Sequence, residues 1–410
     1  MRSKRYNPYA LLAAVVVAIV LFLLKRLGPV IIPVLKDVLL RLRGGSSGSK
    51  KVCANKGGPS ANDATENEKK KKAPKPKVTL GDNVRKLGFD LTDDVIQRVF
   101  PRRYELHDHV VVVKMNNGVE LSDFLPLAAA FAASLHHSVD VVVADTEGIA
   151  GELRKPVHSV VYKKDGPIGG TQLRLVHKYV TKRFKGKTIL GDSIDEDEVQ
   201  SLERLVESPT FTVHVENDVK YCFDVMRVMF CSGNTTERMH FSEVHAPGER
   251  VVDMFSGIGY FTLPLAMRGG VKEIIALEKN PDSCWYLRLN TLINGVGDKV
   301  KIFNGDNRVE TGKTYEGQCD RVLMGYIPTC EEFLPRAYSF LRKGSKPNSR
   351  VGVIHYHFNS GEKKEAHSCA YGHVVAQLGE DVAGTFTIEL RQVKSYSPRT
   401  WHYVADVAFS

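Results

Sequence analysis

The stretch from Val251 to Phe261 constrains the fold of this 410-residue chain more than any other part. Its first five residues, Val251–Phe255, are apolar apart from Asp253, a pattern typical of a buried parallel strand. Gly257 and Gly259 follow in a tight turn, where a side chain would block the close approach of a ligand. The next residues favour a helix, and a helix N-terminus attracts negative charge. The stretch therefore predicts a strand–turn–helix unit that binds a nucleotide or nucleoside.

Strand and helix patterns alternate from this unit to the C-terminus, which predicts a mostly parallel, doubly wound α/β sheet. The last two strands are joined by a short turn containing Pro398, so we expect an antiparallel hairpin at one edge. Seven strands ending in a hairpin match the class I AdoMet-dependent methyltransferase fold better than the six-stranded dinucleotide fold. The predicted strands are Val251–Phe255, Glu273–Leu277, Val300–Phe303, Arg321–Met324, Val351–His355, Phe386–Val393 and His402–Ala408, and the predicted helices Tyr260–Arg268, Asp282–Asn290 and Glu331–Leu341.

Three carboxylates fall where such sheets bind ligands, at the carboxyl ends of the strands. Asp253 lies on the first strand, Glu278 ends the second, and Asp306 follows the third. An acid at the position of Glu278 can accept hydrogen bonds from both ribose hydroxyls, and Asp306 can accept one from an adenine amino group. One such acid alone is as easily a helix cap, but the ordered set favours a nucleoside site.

A nicotinamide cofactor would use a similar turn. However, Thr262 stands where the third glycine of G-x-G-x-x-G would be. Tyr260 and Phe261, directly after the turn, suit a nucleoside without a pyrophosphate, although both could be core residues instead. These differences favour AdoMet as the ligand.

The region before residue 248 predicts a separate α/β unit with a basic face. Strands are expected at Val110–Met115, Val139–Ala144 and Val157–Tyr162, and a hairpin at residues 210–225. Nine basic residues cluster between positions 163 and 187, in a chain of net charge +10. We expect this face to contact RNA phosphates, with an ordinary charged surface as the alternative.

The first 78 residues differ in composition from the rest. Ala10–Leu24 is apolar and flanked by basic residues, but it is shorter than the roughly 20 residues of a spanning helix. We favour a signal anchor over a signal peptide or a mitochondrial presequence, with membrane association through residues 7–35. The protein is then expected in the cytoplasm, tethered to the cytosolic face of the endoplasmic reticulum, with a mitochondrial location as the alternative. The expected domains are 1–45 (anchor), 46–78 (disordered basic linker), 79–247 (N-terminal α/β region, RNA-binding) and 248–410 (catalytic domain).

The seven cysteines are scattered and form no C-x-x-C pair. This usage favours a reducing compartment and predicts neither a disulfide framework nor a metal site. The sequence does not indicate the oligomeric state.

Six stretches of the chain carry a specific resemblance: 251–268, Glu278-Lys-Asn-Pro-Asp, Asn290…Asn294-Gly-Val, Gly305-Asp-Asn-Arg, 223–238 and 393–398. They resemble the tRNA position-37 modification family. The family includes guanine-37 N1-methyltransferases and the aminocarboxypropyltransferases of wybutosine synthesis. The resemblance covers about residues 95–410 and implies AdoMet as group donor and tRNA as partner.

Three positions distinguish the two branches of the family. Gly233-Asn234 stands where the methyltransferases carry an arginine, and Gly325-Tyr-Ile-Pro replaces their Asn-x-Pro motif. Gly305-Asp-Asn-Arg also looks like the transferase branch. The resemblance therefore implies transfer of the 3-amino-3-carboxypropyl group to C7 of 4-demethylwyosine at position 37 of tRNA(Phe), with the N1-methyltransferase as the alternative.

The resemblance and the carboxylate pattern together give the expected site residues. No residue is an obvious base, and Asn234 and Asp306 are the catalytic candidates. Tyr396 could stack on an extruded purine, and Arg238 and Lys394 are candidates for the methionine carboxylate or a tRNA phosphate. AdoMet is expected to be bound by Asp253, Ser256, Gly257, Gly259, Tyr260, Phe261, Glu278, Lys279, Asn280, Asp306 and Asn307, and the substrate by Arg227, Ser232, Asn234, Arg238, Lys394 and Tyr396.

Overall fold

The structure, a computed structural model, describes residues 80–135, 138–183, 196–345 and 349–410. The expected membrane segment and linker lie outside these residues. In the described part, no helix has the length and apolar character needed to cross a membrane. The strands are β1 (Arg103–His107), β2 (Val110–Lys114), β3 (Val141–Ala150), β4 (Lys155–Lys163), β5 (Phe211–Glu216), β6 (Val219–Asp224), β7 (Arg250–Asp253), β8 (Glu273–Glu278), β9 (Val300–Asn304), β10 (Arg321–Met324), β11 (Arg342–Lys343), β12 (Arg350–Ser360), β13 (Phe386–Ser397) and β14 (Thr400–Phe409).

The helices lie between these strands, with strict alternation only in part of the C-terminal domain. They are α1 (Leu80–Lys86), α2 (Asp93–Val99), α3 (Leu121–Phe124), α4 (Ala128–Ser134), α5 (Thr171–Arg183), α6 (Glu196–Val206), α7 (Thr235–Glu243), α8 (Thr262–Arg268), α9 (Pro281–Ile293), α10 (Leu334–Phe340) and α11 (Lys363–Leu378).

The large C-terminal sheet has the strand order β13-β14-β12-β10-β7-β8-β9. The five adjacent strands from β12 to β9 are parallel, and β14 and β13 close the other edge as an antiparallel hairpin. The predicted strands and edge hairpin are thereby confirmed. Because strand order reverses between β7 and β10, the crevice above their carboxyl ends is the expected ligand position.

Two elements of this domain were not predicted from the sequence. Strand β11 is only two residues long and pairs with β12. Helix α11 spans sixteen residues between β12 and β13. It buries the small side chains of Ala366 and Ala370 together with Val374, so it lacks the stripe of large apolar residues that marks an amphipathic helix.

The N-terminal region forms a four-stranded sheet of order β1-β2-β3-β4, in which only β2 and β3 are parallel. The hairpin β5–β6 is separate from that sheet and confirms the prediction for residues 210–225. Asn290 of α9 and Asn294, the residue that caps the C-terminus of this helix, bind the backbone of β6. Asn290 pairs with the amide and the carbonyl of Cys222, and Asn294 with those of Lys220. Their side-chain amides thus replace a neighbouring strand at this edge.

The hydrophobic core continues across residue 247, where we expected a domain boundary. One buried cluster includes Val143 of β3, Phe223 of β6, Phe241 of α7 and Ile274 of β8. The boundary stays a prediction, but the packing joins the N-terminal region to the catalytic sheet, so the two can share one site.

Candidate active site

A cavity of about 580 Å³ lies over the carboxyl ends of the parallel strands. The turns after β7, β8, β9 and β10 form its floor and walls. The loop between β3 and β4 covers one side and contributes Glu152, Leu153 and Arg154. Eleven of the expected site residues line this cavity: Gly257, Tyr260, Phe261, Glu278, Lys279, Asn280, Asp306, Asn307, Asn234, Lys394 and Tyr396.

Glu278 ties the glycine turn to the end of β8. Its Oε2 accepts the Gly257 amide at 2.8 Å, and its Oε1 accepts the Asn280 amide at 2.8 Å. Burial raises the pKa of this carboxyl, although the backbone amides oppose the shift. Each carboxylate oxygen has further lone pairs, so Glu278 can hold the turn and still accept ligand hydroxyl groups.

The two glycines of the turn have different roles. Gly257 has a φ of +54° and lines the cavity, as expected. Gly259, with a φ of +101°, does not line it. A Cβ at Gly259 would lie 2.6 Å from Leu263 and 2.9 Å from Leu287, both in the core. The expected ligand contact of Gly259 is therefore corrected, because its missing side chain makes room for packing beneath the turn.

Asp253 and Ser256 also lie behind the cavity wall rather than in it. Asp253 is 1% exposed, and its Oδ2 accepts a hydrogen bond from Thr262 Oγ1 at 2.7 Å. Ser256 Oγ donates to the carbonyl of Leu277 at 3.2 Å. These contacts connect the turn to α8 and β8, so both residues shape the site without facing a ligand.

Asp306 is held by two cations at the rim. Its carboxylate receives hydrogen bonds from Arg308 at 2.6 and 2.9 Å, and from Lys279 Nζ at 3.2 Å. The hydrogen bonds to Arg308 hold the pKa of Asp306 well below its usual range. Since these cations occupy its oxygens, the expected bond to an adenine amino group would have to compete with them.

Two asparagines offer unpaired oxygens to the cavity. Asn307 donates from Nδ2 to the carbonyl of Met254 at 2.7 Å. Within the described residues, Oδ1 of Asn307 and Oδ1 of Asn234 are buried and have no hydrogen-bond partner. A buried acceptor without a donor costs about 1–3 kcal/mol. Both oxygens therefore suit a ligand with N–H groups, such as the adenine amino group or the ammonium group of AdoMet.

Three expected substrate contacts do not line the cavity. Arg238 is 3% exposed, forms an ion pair with Glu216 and donates to the carbonyl of Cys231. Ser232 Oγ donates to Glu105 at 2.7 Å, and Arg227 lies on the exposed surface, 3.4 Å from Asp282. Arg238 is corrected to a structural residue, because its guanidinium is already engaged within the protein.

Lys394 supplies a cation next to position 233. A Cβ at Gly233 would lie 2.8 Å from Lys394 Nζ. The amine thus occupies the space that a side chain at this position would need. A similar relation holds at Gly325, where a Cβ would lie 2.6 Å from the ring of Phe261. Gly233 and Gly325 distinguish the transferase branch in the sequence. In this structure a side chain at either position would collide with Lys394 or Phe261.

Several cavity residues were missed in the sequence. Arg154 donates to the carbonyl of Ile327 at 2.8 Å, and its guanidinium lies 5.2 Å from the centre of the Tyr326 ring. Nothing in the local sequence around Arg154 indicates that its loop reaches the catalytic sheet. His402 also lines the cavity and is the cross-strand partner of Lys394. The strand predicted there, Phe386–Val393, ends before Lys394, so the sequence did not indicate this pairing.

Comparison with known proteins identifies the family of this chain. Residues 212–371 match the TRM5/TYW2 methyltransferase domain. The chain is 38% identical over 226 residues to the tRNA(Phe) (4-demethylwyosine(37)-C(7)) aminocarboxypropyltransferase of Pyrococcus horikoshii, covering 54% of this chain and 76% of that protein. The protein of the same name from Methanocaldococcus jannaschii is 32% identical, with 56% and 89% covered.

A solved structure agrees with these relatives. P. horikoshii TYW2 in complex with MeSAdo superposes with a TM-score of 0.56 at 25% identity, covering 80% of this chain and 98% of that one. The observed sheet order, the cavity at its switch point and these similarities agree. The chain belongs to the TRM5/TYW2 family of tRNA-modifying transferases, on the side of the tRNA(Phe) aminocarboxypropyltransferases.

Proposed function

We propose that this protein transfers the 3-amino-3-carboxypropyl group of AdoMet to C7 of 4-demethylwyosine at position 37 of tRNA(Phe). The main support is the 38% identity to the P. horikoshii aminocarboxypropyltransferase. The sulfonium of AdoMet activates its three attached carbons, so the outcome depends on which carbon the site presents to the nucleophile.

The proposed donor pose follows from the cavity walls. Glu278 binds the ribose hydroxyls at the end of β8, and the unpaired oxygen of Asn307 accepts the adenine amino group. The methionine arm then points toward Asn234 and Lys394, where an acceptor suits its ammonium and a cation its carboxylate. With this arm held, the γ-carbon rather than the methyl group faces the nucleophile.

Transfer with two donor labels decides between the branches. We expect label from the carboxypropyl group of AdoMet to enter tRNA that carries 4-demethylwyosine, and methylthioadenosine to be released. Label from the methyl group should stay in methylthioadenosine. Methyl label in tRNA with guanosine at position 37 would instead identify an N1-methyltransferase and refute the proposal.

The donor pose has its own test. Glu278→Gln keeps an acceptor for the Gly257 amide but removes the charge, so AdoMet affinity measured by calorimetry should fall at least about 10-fold, the equivalent of one charge-assisted hydrogen bond. Glu389, exposed on β13, provides the matched control Glu389→Gln. Equal AdoMet affinity in both variants would contradict the assigned ribose contact.

Membrane attachment through residues 7–35 stays a proposal from the sequence. Its support is the apolar run Ala10–Leu24 with basic residues on both sides. Alkaline carbonate extraction of the full-length protein tests it. Recovery in the membrane pellet is expected, and release into the supernatant would refute the attachment.

A further inference from the structure

A buried pair of histidines adjoins the donor cavity. His402 lines the cavity beside Lys394 and is 1% exposed. Its Nε2 lies 3.0 Å from Nδ1 of His357 on the neighbouring strand β12. Among the described residues, the other ring nitrogen of His402, Nδ1, has no hydrogen-bond partner. Because His402 lines the cavity, this nitrogen is left for a group bound there.

The geometry of the pair permits a proton to be accepted at that nitrogen. One hydrogen lies between His402 Nε2 and His357 Nδ1, and the two tautomers differ in which ring donates it. When His402 donates, its Nδ1 carries a free lone pair. A proton received there gives an imidazolium whose Nε2–H is already held by His357. Phe261, stacked on His357 at 5.2 Å between ring centroids, fixes the second ring.

The surroundings keep both rings neutral. Burial and the nearby Lys394 ammonium lower the pKa of His402 to about 4. Burial, His402, His355 and Arg391 lower the pKa of His357, and only Asp406 opposes them. The neutral imidazole has a lone pair that can accept a proton at pH 7. A pKa of about 4 makes His402 a weak base, so it suits only an acidic C–H, such as that of the cationic ring formed once C7 has bonded to the γ-carbon.

We propose that His402 is the base that removes the proton from the nucleophilic carbon, and that His357 positions it. This inference rests on the proposed function. C7 of the purine-derived base bonds to the γ-carbon of the methionine arm. The bond from the γ-carbon to sulfur breaks, and its electron pair stays on sulfur, giving methylthioadenosine. The electron pair of the C7–H bond then restores the ring, and the proton passes to His402 Nδ1 and on to solvent.

Kinetics with deuterium at C7 separate this role from a structural one. His402→Asn keeps a polar group near the Nδ1 position, and His402→Gln keeps one near Nε2, but neither amide is a base at pH 7. We expect the single-turnover rate to fall at least about 10²-fold in both. We also expect the C7–H to C7–D rate ratio to exceed that of the wild type, because proton removal becomes the slow step. AdoMet affinity, measured by calorimetry, should be retained.

Substitutions of His357, which pairs with His402, and of the exposed His367 provide controls. His357→Asn keeps an acceptor near Nδ1 and should lose less rate than His402→Asn, whereas His367→Asn, exposed on α11, should behave as wild type. A rate in His402→Asn equal to the wild-type rate would refute the inference. So would a slow variant that binds AdoMet but has an unchanged C7 isotope ratio. If the wild-type protein itself transfers no carboxypropyl label, the proposed function fails instead.

Discussion

Replacing Asp253 by asparagine should change how the stability of this protein depends on pH. Asp253 ends β7 and is 1% exposed, and it contacts Thr262 Oγ1 and the Phe255 amide. Burial raises the pKa of its carboxyl from 3.8 to about 7, against the opposing hydrogen bond from Thr262. The folded state therefore favours the protonated form more strongly than the unfolded state does.

The sign and size of the effect follow from linkage. A group whose pKa is raised on folding binds more protons in the folded state, so stability is lost as pH rises from 3.8 to about 7. A shift of roughly three units corresponds to about 4 kcal/mol, since one unit is about 1.4 kcal/mol. An asparagine side chain does not titrate, so the Asp253→Asn variant lacks this loss.

Urea unfolding at a series of pH values measures the difference. The free energy of unfolding of Asp253→Asn, minus that of the wild type, should rise by about 4 kcal/mol between pH 4 and pH 8. The control Asp298→Asn changes an exposed carboxylate and should show no such rise. If the free energy of unfolding changed with pH in the same way in Asp253→Asn and in the wild type, burial would not raise the pKa of Asp253, and the prediction would be refuted.

Three further substitutions test the site and its support. Gly233→Arg should displace the Lys394 amine and reduce carboxypropyl transfer by about 10²-fold, and unchanged transfer would show that the pocket tolerates a side chain there. Gly259→Ala should lower the free energy of unfolding by about 1–3 kcal/mol, because the added methyl group contacts Leu263. The folded variant should bind AdoMet as the wild type does, and a loss of affinity without a loss of stability would show that Gly259 contacts the ligand. Asn290→Ala removes hydrogen bonds to Cys222 and Ile258, so it should cost about 3 kcal/mol in urea unfolding, and a cost below about 1 kcal/mol would mean that water replaces them.

The sheet could be predicted from the sequence because its strands are short, apolar and regularly spaced. The turn at Gly257 and the acid Glu278 follow from the same pattern, since both lie at fixed offsets from strand ends. Local sequence could not distinguish Gly257 from Gly259, because both have positive φ but only one faces the cavity. The difference depends on Leu287, from a helix further along the chain.

Long-range contacts account for the other errors. Arg238 was expected to bind substrate because an isolated arginine near a site is a plausible anion contact. Its partner, Glu216, lies on a hairpin 22 residues earlier, and no local spacing connects the two. Arg154 and His402 were missed for the same reason, since each reaches the cavity from an element distant in sequence from the glycine turn. Side-chain roles that depend on tertiary partners are therefore the ones that sequence patterns leave open.

The loop between β3 and β4 connects the N-terminal sheet directly to the wall of the ligand cavity. Glu152 contacts Lys279, the carbonyl of Leu153 accepts from Asn280, and Arg154 binds the carbonyl of Ile327. A ligand of the N-terminal region that moves this loop alters the affinity of the cavity for its own ligand wherever these contacts differ between the two loop positions. Thermodynamic reciprocity then requires the cavity ligand to alter the first affinity by the same factor. An ordered binding of the two ligands can thus arise from this loop alone, because it belongs to the N-terminal sheet and also forms a wall of the cavity.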